Sequence, residues 1–307
     1  RPGNGNGDVA EFFLGNTKLH FFPTQLFFIF PNVTGVRMDE YSLTPDFALT
    51  TNAFVNCLRL NNIYMDDSNL SSLPSGFAQD CINLKLLSLS TNKFRFINKD
   101  GFLGLSNLEN LFLDHNLLSS LDSQVFINTP KLKILDLGHN LFSSLNPQVF
   151  IKTPQLETLK LTNNLFTWLN PQVFLKTPNL RRIDVSRNFL TAIPTQWTSL
   201  PLLESINFDY NKLKSLPEIH FGNTNYVHFN VAKNFINEID PNLFANKTIW
   251  KNRRYSYVGL AGNECVNENY FQKDPLNEPR LQKCFDNWNT KPTPKPTIKR
   301  PGLYLDV

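Results

Sequence analysis

Apolar and polar positions along the chain fall into a frame that returns in register. Residues 84–94 place Leu84, Leu87 and Leu89 ahead of Asn92 and Phe94, an L-x-x-L-x-L-x-x-N-x-L pattern with Phe in the last slot. The frame returns at Leu108/Leu111/Leu113/Asn116/Leu118, Leu132/Leu135/Leu137/Asn140/Phe142, Leu156/Leu159/Leu161/Asn164/Phe166 and Leu180/Ile183/Val185/Asn188/Leu190. Two shorter copies follow at Leu203/Ile206/Phe208/Asn211/Leu213 and Tyr226/Phe229/Val231/Asn234/Ile236, with a last one at Tyr255/Val258/Leu260/Asn263. Looser copies precede them at Leu60/Ile63/Met65/Ser68/Leu70, Val33/Val36/Met38/Tyr41/Leu43 and Val9/Phe12/Leu14/Thr17/Leu19.

This period dictates an architecture. An L-x-L pair puts two side chains on one face of a short strand, because strand side chains alternate. Successive coils stack their strands in parallel about 4.8 Å apart, and the leucines fuse into one interior that no single coil could bury alone. The expected fold class is α/β: a right-handed repeat solenoid with a curved parallel β-sheet on its concave face. The Asn of each coil is tolerable beside that interior only if its amide bonds the backbone of neighbouring coils. Thr17, Tyr41 and Ser68 interrupt this ladder, so the first coils are expected to be less regular. A second series, Phe77, Phe102, Phe126, Phe150, Phe174, Trp197, Phe221 and Phe244, predicts an aromatic spine behind the sheet.

The frame, the Phe that follows it and the dominant 24-residue step resemble the typical class of animal extracellular leucine-rich repeats. Toll-type receptor ectodomains, Slit-like adhesion proteins and mosquito leucine-rich immune proteins share that class. The resemblance runs from Val9 to Cys284. It implies a binding role, with innate immune recognition or receptor signalling as the setting; fold by itself does not fix function.

The chain holds four cysteines. Cys57 and Cys81 occupy the same slot of adjacent coils, so stacking should bring their Cα atoms to about 5 Å, inside the disulfide window. Cys265 then pairs with Cys284 by elimination. The second pair resembles a reduced form of the C-terminal cysteine cap of extracellular repeat proteins. The chain divides into about eleven repeats over 1–264, a disulfide-closed cap over 265–285 and a Pro-rich tail over 286–307. That tail reads as a stalk or as a plain disordered end. At the other terminus, Phe21, Phe22 and the Leu26–Phe30 cluster close the array, or a partner does. Repeat-phased cysteines and three glycosylation sequons, at Asn32, Asn69 and Asn246, point to an oxidising, extracellular compartment.

Charge and motifs narrow the function. The formal charge of +4 is mild and partly sits in the tail, which argues against nucleic acid as partner. No apolar run reaches the roughly 18 residues of a membrane helix, so no membrane insertion is expected and the chain is read as soluble. It opens at Arg1 without a charged-then-apolar leader, so a signal peptide is expected to have been removed. Phosphate-binding glycine loops, H-E-x-x-H and G-x-S-x-G are absent, and neither a catalytic set, a metal site nor a cofactor is expected. Asp114 beside His115, with Ser90 one coil away, hints at a nucleophile and base but lies on an open sheet.

Candidate binding residues come from the strand positions that flank the buried pair. Tyr64 and Phe112 stand beside a broken acidic row, Asp66, Asp114, Asp136, Asp184 and Asp209, with Lys160 among them. Aromatics ringed by charge suit a protein or glycan ligand. His115 and His139 share a slot in adjacent coils, with rings expected within about 5–6 Å, as a pH-responsive patch or as solvated side chains. Trp250 to Tyr255, rich in cations, either contacts an acidic partner or leads into the cap. The expected function is a secreted recognition protein. The alternative is an adhesive matrix protein whose array self-associates as a homo-oligomer.

Overall fold

The computed structural model describes residues 11–14, 19–38, 47–194, 200–219, 221, 227–244, 256–271 and 278–290. Thr17, Tyr41, Trp197, Asn246, the Trp250–Tyr255 segment and the tail from 291 lie outside them.

Strands form where the frame places its L-x-L pairs: β1 Glu11–Phe13, β2 Gly35–Arg37, β3 Asn62–Tyr64, β4 Leu86–Ser88, β5 Asn110–Phe112, β6 Ile134–Asp136, β7 Thr158–Lys160, β8 Arg182–Asp184 and β9 Ser205–Asn207. The series continues through β11 His228–Asn230 and β13 Tyr257–Gly259, with β14 Asn269–Phe271 at the end. Among the described residues these make one 12-stranded sheet, in which β13 and β14 pair antiparallel and all other pairs are parallel. The chain is a repeat solenoid with this sheet on its concave face. The short pairs β10 Ser215–Leu216 and β12 Glu238–Ile239 add a second, two-stranded sheet.

Register follows the frame without slippage. Ile63, Leu87, Leu111, Leu135, Leu159 and Ile183 face one another across successive strands, and all are buried. The helical share of this α/β class is small. The convex side consists of turns with single 3-10 turns at Pro171–Phe174 and Pro241–Phe244, and helices α1 (Leu26–Ile29) and α2 (Gln282–Asn289) sit near the two ends. Proline and short coil length leave no room for a longer helix behind each strand.

The asparagine ladder is complete from Asn92 to Asn263. Asn140 is representative: its Nδ2 donates to the carbonyls of Leu113, Leu137 and Gly138 at 2.9, 3.2 and 3.0 Å, and its Oδ1 accepts from the Leu118 amide at 3.0 Å. Ser68 occupies the ladder slot of an early coil, and its short side chain reaches only the carbonyl of Asp66. The aromatic spine is buried, with Phe102, Phe126 and Phe150 stacked at 6.1 Å steps. It extends beyond Phe77, further toward the N-terminus than the repeat pattern shows, through Phe54, Phe22 and Phe27. Thus α1 closes that end with Leu26 and Phe27 inward, while Phe21, Phe28 and Ile29 remain exposed.

Both disulfides form as expected, Cys57–Cys81 with Cα atoms 4.8 Å apart and Cys265–Cys284 at 5.4 Å. At the far end β14 pairs against β13, and Phe285 of α2 packs on the spine residue Phe244, so the cap covers the open edge of the stack. Among the described residues no helix is long and apolar enough to cross a membrane.

Candidate functional site

The middle residue of each strand points into the core, so its two neighbours form the concave surface. Strand register then sets Arg37, Tyr64, Ser88, Phe112, Asp136, Lys160 and Asp184 side by side, one per coil. Tyr64 and Phe112 are half-buried rings separated by the coil that carries Ser88. Two coil steps put them about 9.6 Å apart. Ser88 between them is small and buried, so the row of strand side chains dips to a notch between the two rings. Arg37 closes its outer side, with the guanidinium 4.6 Å from the Tyr64 ring centre.

The acidic row lies behind the notch and runs on down the sheet. Asp66 Oδ1 accepts from Ser88 Oγ at 2.5 Å and from the Ser90 amide at 2.9 Å. Ser90 Oγ donates to Asp114 Oδ1 at 2.6 Å, and the other oxygen of Asp114 meets His115 Nδ1 at 2.9 Å. Asp184 accepts from the amide and hydroxyl of Ser186 and from Asn207. These carboxylates are thus held by neutral donors and a histidine. Asp136 differs: its Oδ2 takes Lys160 Nζ at 2.9 Å, which also pushes the lysine pKa up. Burial raises the pKa of Asp66, and burial together with the neighbouring charge of Asp184 raises that of Asp209. The sheet therefore presents Asp66–Asp114 and Asp184–Asp209 as two patches, divided by the self-satisfied Asp136–Lys160 pair.

Ser90, Asp114 and His115 do come together, but not in the order hydroxyl, imidazole, carboxylate. The carboxylate stands between hydroxyl and imidazole, so Ser90 is bonded to Asp114 and His115 to its other oxygen, unlike a serine–histidine–aspartate triad. His115 and His139 lie closer than the coil spacing suggests, with ring centres 3.9 Å apart and planes nearly parallel. Asn163 Nδ2 donates to His139 Nδ1 at 3.0 Å, and burial, then the charge of His115, lowers the His139 pKa. Among the described residues no cluster of three or more His, Cys, Asp or Glu could hold a metal ion.

Two features escaped sequence reasoning. The residue before each ladder position is left-handed, with φ between 50° and 55° at Asp67, Thr91, His115, His139, Asn163, Arg187, Tyr210 and Lys233, and 76° at Gly262. Only the last of these is glycine, so composition carries almost no trace of the column. The residue after the ladder Asn is apolar yet exposed in four consecutive coils: Leu117, Leu141, Leu165 and Phe189. That signal was readable as an apolar residue in the one slot of N-x-L that the core does not require. Of the sequons, Asn69 is exposed, whereas Asn32 is half-buried with its Oδ1 accepting from Arg59 at 2.7 Å.

The family model for leucine rich repeats matches residues 59–118, 106–166 and 154–213, an unbroken half of the chain. The chain belongs to the leucine-rich-repeat family. Among solved structures it is similar to the TLR13–ssRNA13 complex at 21% identity and TM-score 0.62, covering 90% of this chain and 45% of the other. It is also similar to the Drosophila Toll–Spatzle complex at 21% identity and TM-score 0.60, covering 85% and 39%. A further likeness is to the LRIM1/APL1C complex at 17% identity and TM-score 0.55, covering 81% and 47%. The chain spans less than half the length of each, and at these identities the likeness concerns the fold. No curated protein matches it.

Proposed function

We propose that the chain is a secreted, non-enzymatic recognition protein that binds a protein or glycan through its concave face, in innate immune recognition or receptor signalling. The observation that carries this reading is the Tyr64–Ser88–Phe112 notch with Asp66 and Asp114 at its back. Aromatic walls with carboxylates behind them suit a lysine or arginine side chain, or the apolar face and hydroxyls of a sugar. The same carboxylates repel phosphates and so disfavour nucleic acid on this face. The setting rests on kinship of fold. Structural neighbours include complexes named for Toll with Spatzle and for LRIM1 with APL1C, each a protein partnership. The paired cysteines support an extracellular location, and exposed Asn69 is the better glycan acceptor.

The test compares the protein with Tyr64→Ala/Phe112→Ala, Asp66→Asn/Asp114→Asn and the notch-filling Ser88→Tyr. Cross-linking in extracellular fluid, with the linked peptides mapped, should place contacts on β3 to β5. All three variants should lose them. Capture unchanged by every variant, or links confined to the convex side, removes the reading.

A further inference from the structure

Each ladder asparagine is surrounded by four outward positions: one before it, and one, three and four after it. On this trailing flank, from Thr91 to Ser215, those positions hold no carboxylate. The position just after the Asn reads Lys93, Leu117, Leu141, Leu165, Phe189, Lys212. Its four apolar members are 37–45% exposed, and Trp168, 57% exposed, stands at the outer margin. The row is rigid. Leu117, Leu141, Leu165 and Phe189 each donate their backbone N–H to the preceding coil at 2.8–2.9 Å. Side chains of adjacent coils meet along it, as Lys212 Nζ lies 4.8 Å from the Phe189 ring centre. Cations sit at both ends: Lys93 and Arg95 at one, Arg187, Lys212 and Lys214 at the other.

We propose that this flank is a second docking surface, taking an amphipathic helix of a partner protein whose apolar stripe has acidic margins. A contiguous exposed apolar row rimmed by charge marks an interaction site. The coil step of about 4.8 Å is close to the 5–6 Å between i and i+3 or i+4 side chains of a helix laid along the row. The rim selects the sign of the partner. A second copy docked through the same face would set cations against cations, which disfavours self-association here. A nucleic-acid strand would find no lysine or arginine at these positions across the three coils of Leu117, Leu141 and Leu165.

The test uses three probes on the full chain: a synthetic helical peptide with leucines at i, i+3, i+4 and i+7 and glutamate margins, its twin with lysine margins, and a thymidine 20-mer. Trp168 emission and calorimetry report binding. The acidic peptide should bind at least about tenfold tighter than its twin at low salt. Leu141→Asp/Leu165→Asp should weaken it by about tenfold or more, while Tyr64→Ala/Phe112→Ala leaves it unchanged, which separates this surface from the concave notch. Lys93→Glu/Arg187→Glu/Lys212→Glu should reverse the preference between the twins. Equal binding of the twins overturns the proposal, as does displacement of the acidic peptide by the oligonucleotide. So does a dimer in sedimentation that Leu141→Asp/Leu165→Asp dissolves.

Discussion

The two flanks of the sheet are built by the same backbone ladder and carry opposite chemistry. On the leading flank, the residue before each strand reads Lys85, Glu109, Lys133, Glu157, Arg181, Glu204, and each of these from Glu109 onward donates its N–H to the one before. Because the repeat stacks equivalent slots, alternation of sign along the sequence becomes alternation along a column. Lys133 meets Glu109 at 2.8 Å and Arg181 meets Glu204 at 2.7 Å. This surface satisfies itself and has little field left to draw a partner. The trailing flank places leucine and phenylalanine in its equivalent column and keeps only positive charge at its ends. A repeat protein thus sets the character of a whole face by the choice made in one slot. The leading flank spends that choice on solubility, and the trailing flank on contact.

The comparison breaks most completely if the ladder that holds both flanks in phase is cut. Asn140→Ala should cost about 2–4 kcal/mol, because the buried Leu118 amide and the carbonyls of Leu113, Leu137 and Gly138 lose a partner together. Leu135→Ala, fully buried in the same coil, should cost about 2–5 kcal/mol. Urea unfolding measures both. A cost under about 1 kcal/mol for Asn140→Ala would mean that core packing alone holds the register.

Acid should dismantle the two flanks in separate windows. The His139 pKa is lowered by burial and by His115, so its stabilising effect is present above the unfolded value of 6.5 and is lost as pH falls through the lower folded value. His228 on the concave face is lowered by burial and acts in the same direction. On the leading flank, Lys133 lowers the Glu109 pKa, so that contribution survives until pH drops below the unperturbed 4.5. Urea midpoints should therefore fall in two steps, one below pH 6.5 and one below 4.5. His139→Gln should shrink the first step and leave the second. NMR titration of His139 with a midpoint above 6.5 would reverse the assignment.

The sequence made much of this legible, and for a physical reason. A solenoid turns sequence period directly into spatial neighbourhood, so the strand columns, the Cys57–Cys81 contact and the Asn ladder could be read by counting residues. Counting fails where side chains choose between neighbours. Asp136 and Lys160 look like members of one ligand-facing row, yet the pair closes on itself and splits that row in two. The Ser90–Asp114–His115 order likewise depends on rotamers that spacing does not encode. The left-handed column is hidden for another reason. Its φ is imposed by hydrogen bonds between coils, such as the His139 amide to the Thr162 carbonyl at 2.7 Å, whatever the residue prefers.

The leading flank offers a smaller and sharper test. Glu109→Lys would set three lysines in consecutive coils, at 85, 109 and 133, and remove the partner of Lys133. Thermal stability should fall slightly at low ionic strength and recover in high salt, because both charges are solvent-facing and screened. Binding of the acid-margined peptide to the trailing flank should not change.

The smallest expected change concerns the concave face between the flanks, and it has the opposite sign. Burial raises the Asp66 pKa, so the folded state holds that proton more readily than the unfolded chain does. Its contribution to stability is then present below the unfolded value near 3.8 and is lost as pH rises through the raised folded value. At neutral pH the ionised Asp66 weakens the fold. Both bonds from Ser88 and Ser90 fall on a single oxygen, Oδ1, so Asp66→Asn keeps them while removing the poorly solvated charge. The variant should gain stability at pH 7, gain nothing below pH 3.8, and bind a concave-face partner less well. A carboxylate retained against the stability of the fold is one kept for what it touches outside it. Equal stability of Asp66→Asn and the parent at every pH would show that the charge is well enough solvated to carry no such meaning.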